Sequence, residues 1–349
     1  MAKFNDYINA KTLAAYITAA GSNKIPYLGA TLFPASKKLG LDLKWIKTHA
    51  GLPVSLAIGA FDAKSVIRSR SGFTLTKTEM PFFREAMVIR EEDRQELLRF
   101  AEMGDRYIKT ILENIYNDAE NLVAGAEVVA ERMRMQLLST GKIAIEDADQ
   151  RTINYDYLLK SAHKPAKLTG TNAWSNADAP VTEQITGWLD MIEDDTGERP
   201  SRAILNSTTF NLLKKNKQVL ADLKPLLVTQ NAPIKNTQLN QWFQDTFGLS
   251  VAVYSKKFLP VFGGAAEKFF PDNVFTLLPA GNLGNTWFGT TPEEADLMAG
   301  HNANVQLVNT GVAITTFNTV DPVNISTKVS QIVLPSFEAA DKIFIATVG

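Results

Sequence analysis

The sequence contains no cysteine among its 349 residues. That absence excludes disulfide bonds, thiolate metal sites and cysteine nucleophiles. Histidine is nearly as scarce, because only His49, His163 and His301 occur and none lies within helical reach of another. A histidine metal site would have to be assembled from distant segments. We therefore expect no metal and no cofactor, and we expect all three histidines to lie on the surface or in loops.

Neither sign of charge is in excess, since 36 Lys and Arg face 37 Asp and Glu, for a formal net charge of −1. This balance excludes a strongly basic nucleic-acid-binding protein. No apolar run approaches the roughly 18 residues of a membrane span, and the first residues resemble no signal peptide. We expect a chain that folds in a cytosol without a membrane. With 45% hydrophobic and 21% charged residues, it is globular and not disordered.

Catalytic motifs are also missing. The carboxylates Glu193, Asp194 and Asp195 are adjacent, but they fall at the end of a predicted helix, where exposed polar residues are expected. The acidic run from Glu146 lacks the glycine of a calcium loop, because Thr152 occupies that position. No nucleophile elbow or phosphate loop occurs. The sequence therefore predicts no catalytic residue and no enzyme.

The clearest element present is a long helix over residues 105–139. Its apolar residues recur at gaps of three and four, which places them on one stripe, and Gly141 ends the pattern. Shorter helices are predicted at 1–20 and 91–103, and a breaker-rich segment that runs to Gly40 follows the first of them. That segment cannot bury much apolar surface by itself, so it is either loose or packed against another part of the chain, and we expect residues 1–40 to form a loose arm.

Extended structure is predicted for residues 41–90, with small and polar residues at the tip of the excursion. Alternating helices and strands follow from about residue 180, and Asn206 is placed to cap a helix. The run 343–348 is apolar on both faces, which is typical of a central strand. Trp174, Trp188 and Trp242 are expected in the core.

The tip of the excursion carries Arg68 and Arg70 on either side of Ser69. Guanidinium groups there could bind carboxylates of another molecule, although arginines that keep a loop soluble are the commoner case. With Phe73, Phe82 and Phe83 farther along the excursion, these arginines are our candidates for contacts between subunits. Long excursions that cannot bury their own apolar residues are usually completed by neighbouring subunits.

Several stretches, in order, resemble the lambda-like capsid protein E family of tailed double-stranded DNA phages. They are Val66–Gly72, Leu137–Ile143, Trp174-Ser175, Lys268–Asn273 and Asn285–Gly289. Each motif is weak alone, but their order and spacing are fairly specific, and the resemblance runs from about residue 40 to the end. Residues 1–40 and 214–245 depart from the family pattern.

The resemblance implies an α+β chain with the tailed-phage major capsid protein fold. On this mapping the segments are an N-terminal arm at 1–40, an extended β-hairpin loop at 41–90, a peripheral domain at 91–175 plus 321–349 with the 105–139 spine helix, and an α/β axial domain at 176–320.

The implied function is a structural head protein that assembles with copies of itself into pentamers and hexamers of an icosahedral shell around packaged double-stranded DNA. Partners would be portal and scaffolding proteins, with or without decoration proteins, and DNA would be enclosed but not bound sequence-specifically. Assembly would occur in the host cytoplasm and the product would be the virion capsid. The alternatives are an encapsulin-like compartment shell and, less favoured, a cytosolic α/β enzyme.

Overall fold

The structure is a computed structural model of the whole chain. It describes residues 9–21, 27–48, 73–92, 95, 105–146, 152–223, 234–261, 263–300 and 304–349.

The described helices and strands alternate in blocks along the chain. The α-helices are α1 (Ala10–Gly21), α2 (Leu28–Leu32), α3 (Asp105–Thr140), α4 (Val181–Thr196), α5 (Ser207–Leu213), α6 (Lys217–Leu223), α7 (Asn236–Phe247) and α8 (Pro292–Met298). The strands are β1 (Ala35–Lys37), β2 (Asp42–Thr48), β3 (Phe73–Glu79), β4 (Phe82–Ile89), β5 (Lys142–Glu146), β6 (Thr152–Asp156), β7 (Arg202–Leu205), β8 (Ser250–Val253), β9 (Lys257–Phe258), β10 (Glu267–Lys268), β11 (Val274–Leu278), β12 (Thr286–Phe288), β13 (Val305–Val308), β14 (Val312–Asn318), β15 (Ile325–Pro335) and β16 (Phe344–Thr347).

The chain divides into two compact units that differ from the predicted domains. Unit 1 comprises 1–44, 77–132 and 285–336, and unit 2 comprises 45–76, 133–284 and 337–349. Strand pairing explains the difference. Strands β12 to β15 belong to one sheet of unit 1. The long segment of unit 2 therefore ends at residue 284, whereas the predicted axial domain runs to residue 320. Strand β16 pairs with β11, so the C-terminus lies in unit 2.

Unit 1 is built around the eleven-residue strand β15. One edge of β15 pairs antiparallel with β14, and the other edge pairs first with β4 and then with β12. Strand β13 extends the sheet beyond β14, and β1 extends it beyond β12 in parallel. Separately, β2 and β3 form a two-stranded sheet, as expected for the predicted excursion.

Helices α1 and α3 cover one face of the unit 1 sheet. Leu13 and Ile17 of α1 pack in one cluster with Leu122 of α3 and Ile314 of β14. The backbone N–H of Gly29 in α2 donates to the buried Glu131 carboxylate at 3.0 Å. Of the two alternatives, packing against the rest of the chain holds for α2, and the expectation of a loose arm is wrong for α1 and α2, because apolar side chains of both helices are buried within their own unit.

Two ion pairs hold α8 against the same sheet. Lys37 Nζ lies 2.5 Å from Glu294 Oε2, and Lys328 Nζ lies 2.6 Å from Glu293 Oε1. Both glutamates are at the first turn of α8, where the helix dipole also favours a negative charge. Burial alone would raise the pKa of Glu293, but hydrogen bonds from Lys328 and Ser330 keep it below its ordinary value.

Unit 2 contains a four-stranded sheet in the order β16-β11-β7-β8. Its core combines sheet residues with α4 and α7, and Phe275 of β11 stacks beside Phe243 of α7 with ring centroids 6.2 Å apart. Trp174, Trp188 and Trp242 are buried in this core, as predicted. All residues of this cluster belong to unit 2.

Strand β16 is apolar on both faces but lies at the edge of the described sheet, so the prediction of a central strand is wrong. A segment without strand structure covers that edge instead. Leu168 N–H donates to Thr347 C=O at 2.9 Å, and Trp174 N–H donates to Val348 C=O at 2.6 Å. These bonds satisfy backbone groups that a neighbouring strand would otherwise pair.

The sequence signals for the end of one helix and for the start of another are confirmed. The long helix α3 spans Asp105–Thr140 and ends at Gly141, which has φ +72°. Asn206 caps α5, since its Oδ1 accepts from Thr209 N–H at 2.9 Å. The Asn206 amide also donates to Asp272, which lies in the Pro-Asp-Asn stretch before β11. This stretch therefore ties the start of α5 to the start of β11.

We expect Gly311→Ala to destabilise the protein more than Gly40→Ala. Both glycines have φ +86°, so the backbone strain of alanine, about 1–2 kcal/mol, applies to both. A Cβ at Gly40 meets nothing within 4 Å, whereas one at Gly311 lies 2.5 Å from the Cβ of Phe288. Such overpacking adds about 1–3 kcal/mol. Urea denaturation measures the difference, and equal losses from the two variants would contradict it.

Candidate functional site

Two of the three adjacent acidic residues at the end of α4, Glu193 and Asp195, are engaged in ion pairs. Arg199 Nη1 contacts Asp190 at 2.8 Å and Glu193 at 2.5 Å, and these contacts raise the pKa of Arg199 above its usual value. Asp195 Oδ2 accepts from Lys160 at 2.6 Å, which lowers the pKa of Asp195. A proton-transfer pair needs one carboxylate of raised pKa. The arrangement is that of a structural charge network.

His163 is buried, with 1% of its surface exposed, so of the two expected places for a histidine, surface or loop, it takes the loop. It lies in the short 3₁₀ turn Ser161–His163, and its Nε2 is 3.1 Å from Asp195 Oδ2. Among the described residues, its Nδ1 has no hydrogen-bond partner. Burial lowers the pKa of His163, although the charges of Asp195 and Asp341 oppose this effect. The imidazole is therefore held neutral near pH 7.

We expect the folded state to lose stability as the pH falls from 7 to 5. The unfolded histidine binds a proton near pH 6.5, whereas the folded one binds it only at lower pH, so stability is complete above about pH 6.5 and decreases below it. His163→Gln should reduce this pH dependence in urea denaturation.

His49 and His301 are present in the natural protein and in the His163→Gln variant. The difference in pH dependence between these two proteins therefore isolates His163. Asp195 loses its contribution only below about pH 4, outside the measured range. The same pH dependence in both proteins would contradict the prediction.

The described part of the chain contains no group of three or more acidic or histidine side chains that could hold a metal ion. Within the same residues, no helix is long and apolar enough to cross a bilayer. What stands out on the described surface is an exposed strand.

Strand β4 is paired along one edge, and six of its eight side chains are exposed. Eight residue pairs join it to β15, from Phe82 opposite Ile332 to Ile89 opposite Ile325. No other described strand pairs with it. Phe82 and Met87 are each 38% exposed and Val88 is 49% exposed, while β15 is buried along almost its whole length. An apolar strand with an open edge is a site for association with another chain.

The predicted contact residues fall into three groups. Arg68 and Arg70 lie outside the described residues. Phe73 begins β3, and its side chain is not among those described. Phe82 is exposed on β4, where its ring lies 5.7 Å from the Arg84 guanidinium carbon, and Phe83 is half-buried on the opposite face.

Comparison with known protein families gives a match that covers almost the whole chain. Residues 9–348 match the family described as Phage major capsid protein E. The chain belongs to this family. Its function is structural, as part of a phage capsid, and it is not an enzyme. No curated protein sequence matches the chain.

Solved structures show the same fold. A protein assigned as a prophage capsid protein of E. coli CFT073 is 16% identical, with a TM-score of 0.60 over 98% of this chain and 99% of that one. A phage-related protein from Bordetella bronchiseptica RB50 is 12% identical, with a TM-score of 0.55 over 97% of each chain. The capsid asymmetric unit of cyanophage A-1(L) contains a chain that is 12% identical, with a TM-score of 0.53 over 93% and 92%.

Sequence reasoning about this family member did not identify Met87 and Val88 as exposed apolar residues. A signal was present, because six of the eight residues of β4 are apolar and do not alternate with polar ones. That pattern predicts burial on both faces of a central strand. The exposure of Met87 and Val88, and the lack of a second paired strand among the described residues, distinguish β4 from such a strand.

Proposed function

We propose that this capsid protein assembles into pentamers and hexamers of an icosahedral shell that encloses double-stranded DNA. The observation that carries the proposal is the family match over residues 9–348. The near-zero net charge supports it, since a strongly basic inner wall would bind DNA during packaging. Portal and scaffolding proteins, with or without decoration proteins, are the expected partners, and assembly takes place in the host cytoplasm.

The two units support a subunit that can occupy slightly different environments. Each has its own buried core, so each stays rigid while contacts at its surface change. The residues proposed to make contacts between subunits are Arg68, Arg70, Phe73, Phe82 and Phe83. The peripheral and axial roles belong to the same proposal. The peripheral role falls to unit 1, which holds most of the long helix, and the axial role falls to unit 2, each with the boundaries of the compact unit.

Electron microscopy of the overexpressed protein tests the assembly. Closed shells or ring-shaped pentamers and hexamers are expected, whereas only monomers or small irregular oligomers would contradict the proposal. The contents of shells purified from infected cells separate the phage head from an encapsulin-like compartment. Nuclease-protected double-stranded DNA supports the head, and co-purified enzyme without DNA supports the compartment.

We expect Arg68→Glu combined with Arg70→Glu to weaken shell assembly while the subunit stays folded. The substitution reverses two charges that are proposed to contact carboxylates of a neighbouring subunit. The control Arg68→Lys combined with Arg70→Lys keeps both charges and should retain more assembly. Light scattering and electron microscopy report assembly, and thermal unfolding reports folding. Normal shells from the glutamate variant would overturn this assignment.

Deleting residues 2–30 would not show whether the N-terminal segment is needed for assembly. The deletion removes Leu13 and Ile17, which belong to the buried cluster of unit 1, and Gly29, which bonds to Glu131. A loss of assembly would then follow from damage to the subunit. Substitutions that leave the core intact are the sharper experiments.

A further inference from the structure

We propose that the open edge of β4, together with its exposed apolar side chains, docks against a second copy of this chain. The inference rests on the proposed shell assembly and deepens it by naming the surface. It concerns residues Phe82–Ile89, which the structure describes throughout.

The first support is that β4 is held along one edge while six of its eight side chains are exposed. Its register with β15 is continuous over all eight residues, so the strand is ordered before any partner arrives. A preordered strand loses little conformational entropy on docking. No described strand pairs with its outer edge, and the backbone N–H and C=O groups along a strand edge alternate in the way that an added strand can pair with.

The second support is the position of the apolar side chains. Directly opposite residues of an antiparallel pair share a face, so Val88 lies on the face of Ser326 and Met87 lies on the face of Thr327. Both are exposed, at 49% and 38%, so the layers that bury β15 cover β4 only in part on either face. A partner at this edge would bury apolar surface on both sides of the sheet.

The third support concerns the kind of partner. The only charged residues of β4 are Arg84 and Glu85, one of each sign, and they lie on opposite faces of the strand. A polyanion such as DNA finds no excess of positive charge there, and a strongly basic or acidic peptide finds no complement. A neutral chain with a mixed surface fits, and this protein is such a chain, with a net charge of −1. In a shell, copies of it are also the most abundant neighbours.

Single cysteines test the contact cleanly, because the natural chain has none. Val88→Cys reports on β4, and Val320→Cys, at a residue that is 88% exposed in the same unit, is the control. The rate of reaction with a maleimide is measured for subunits and for assembled shells. At position 88 the rate should fall at least about tenfold on assembly, because a docked interface excludes solvent. The control should change far less.

A photoreactive maleimide attached to the Val88→Cys variant then identifies the occupant by mass spectrometry. Covalent dimers of the chain support the proposal. Cross-links only to another protein, or an unchanged maleimide rate at position 88 in intact shells, overturn it and leave the proposed function standing. If the natural protein forms no shells, the proposed function fails. Docking is then judged separately, by whether the purified Val88→Cys variant forms dimers cross-linked through position 88.

A charge placed on the strand gives an independent readout. Val88→Lys should reduce the yield of shells at least about tenfold because docking would bury the ammonium group. Val320→Lys makes the same change at the control position and should assemble as the natural protein does. Unfolding midpoints of both variants establish that their subunits are folded. Equal yields from the two folded variants would contradict the inference.

Discussion

Pairing along both edges of β15 is the constraint on which unit 1 depends. This strand joins β14 on one side to β4 and β12 on the other, and through them it reaches β13 and β1. Because both of its faces are buried, its polar side chains need partners. Gln331 donates to the Ala126 carbonyl of α3 at 2.8 Å, and Ser330 donates to Glu293 of α8 at 2.8 Å. The strand thereby fixes the layers on both of its faces as well as the strands beside it.

The same pairing explains how an apolar strand can remain ordered while it is exposed. Strand β4 is held by the central strand of the sheet, so its conformation does not require burial of its own side chains. In an isolated hairpin, such residues would either find cover or lose their order. An exposed apolar edge is a hazard for a protein that acts alone. It is an expected feature of one that is completed by its neighbours.

The sequence predicted those features that depend on near neighbours in the chain. The stripe of α3, its end at Gly141 and the cap at Asn206 each follow from residues within a few positions. Features that depend on distant pairing were missed. Strand β16 could not be recognised as an edge strand, since Leu168 and Trp174 cover it from far along the chain. The burial of His163 and the exposure of β4 are likewise set by segments remote in sequence.

The separation between folding and assembly follows from where the apolar residues lie. The tryptophans of unit 2 and the α1–α3 cluster of unit 1 are buried without any second chain. A subunit with complete cores can fold first and associate afterwards, which differs from an obligate dimer whose core is shared. Its contacts can then be individually weak, because a closed shell repeats each contact many times. Weak, repeated contacts allow misplaced subunits to dissociate, and a chain without cysteine cannot trap them by disulfide exchange.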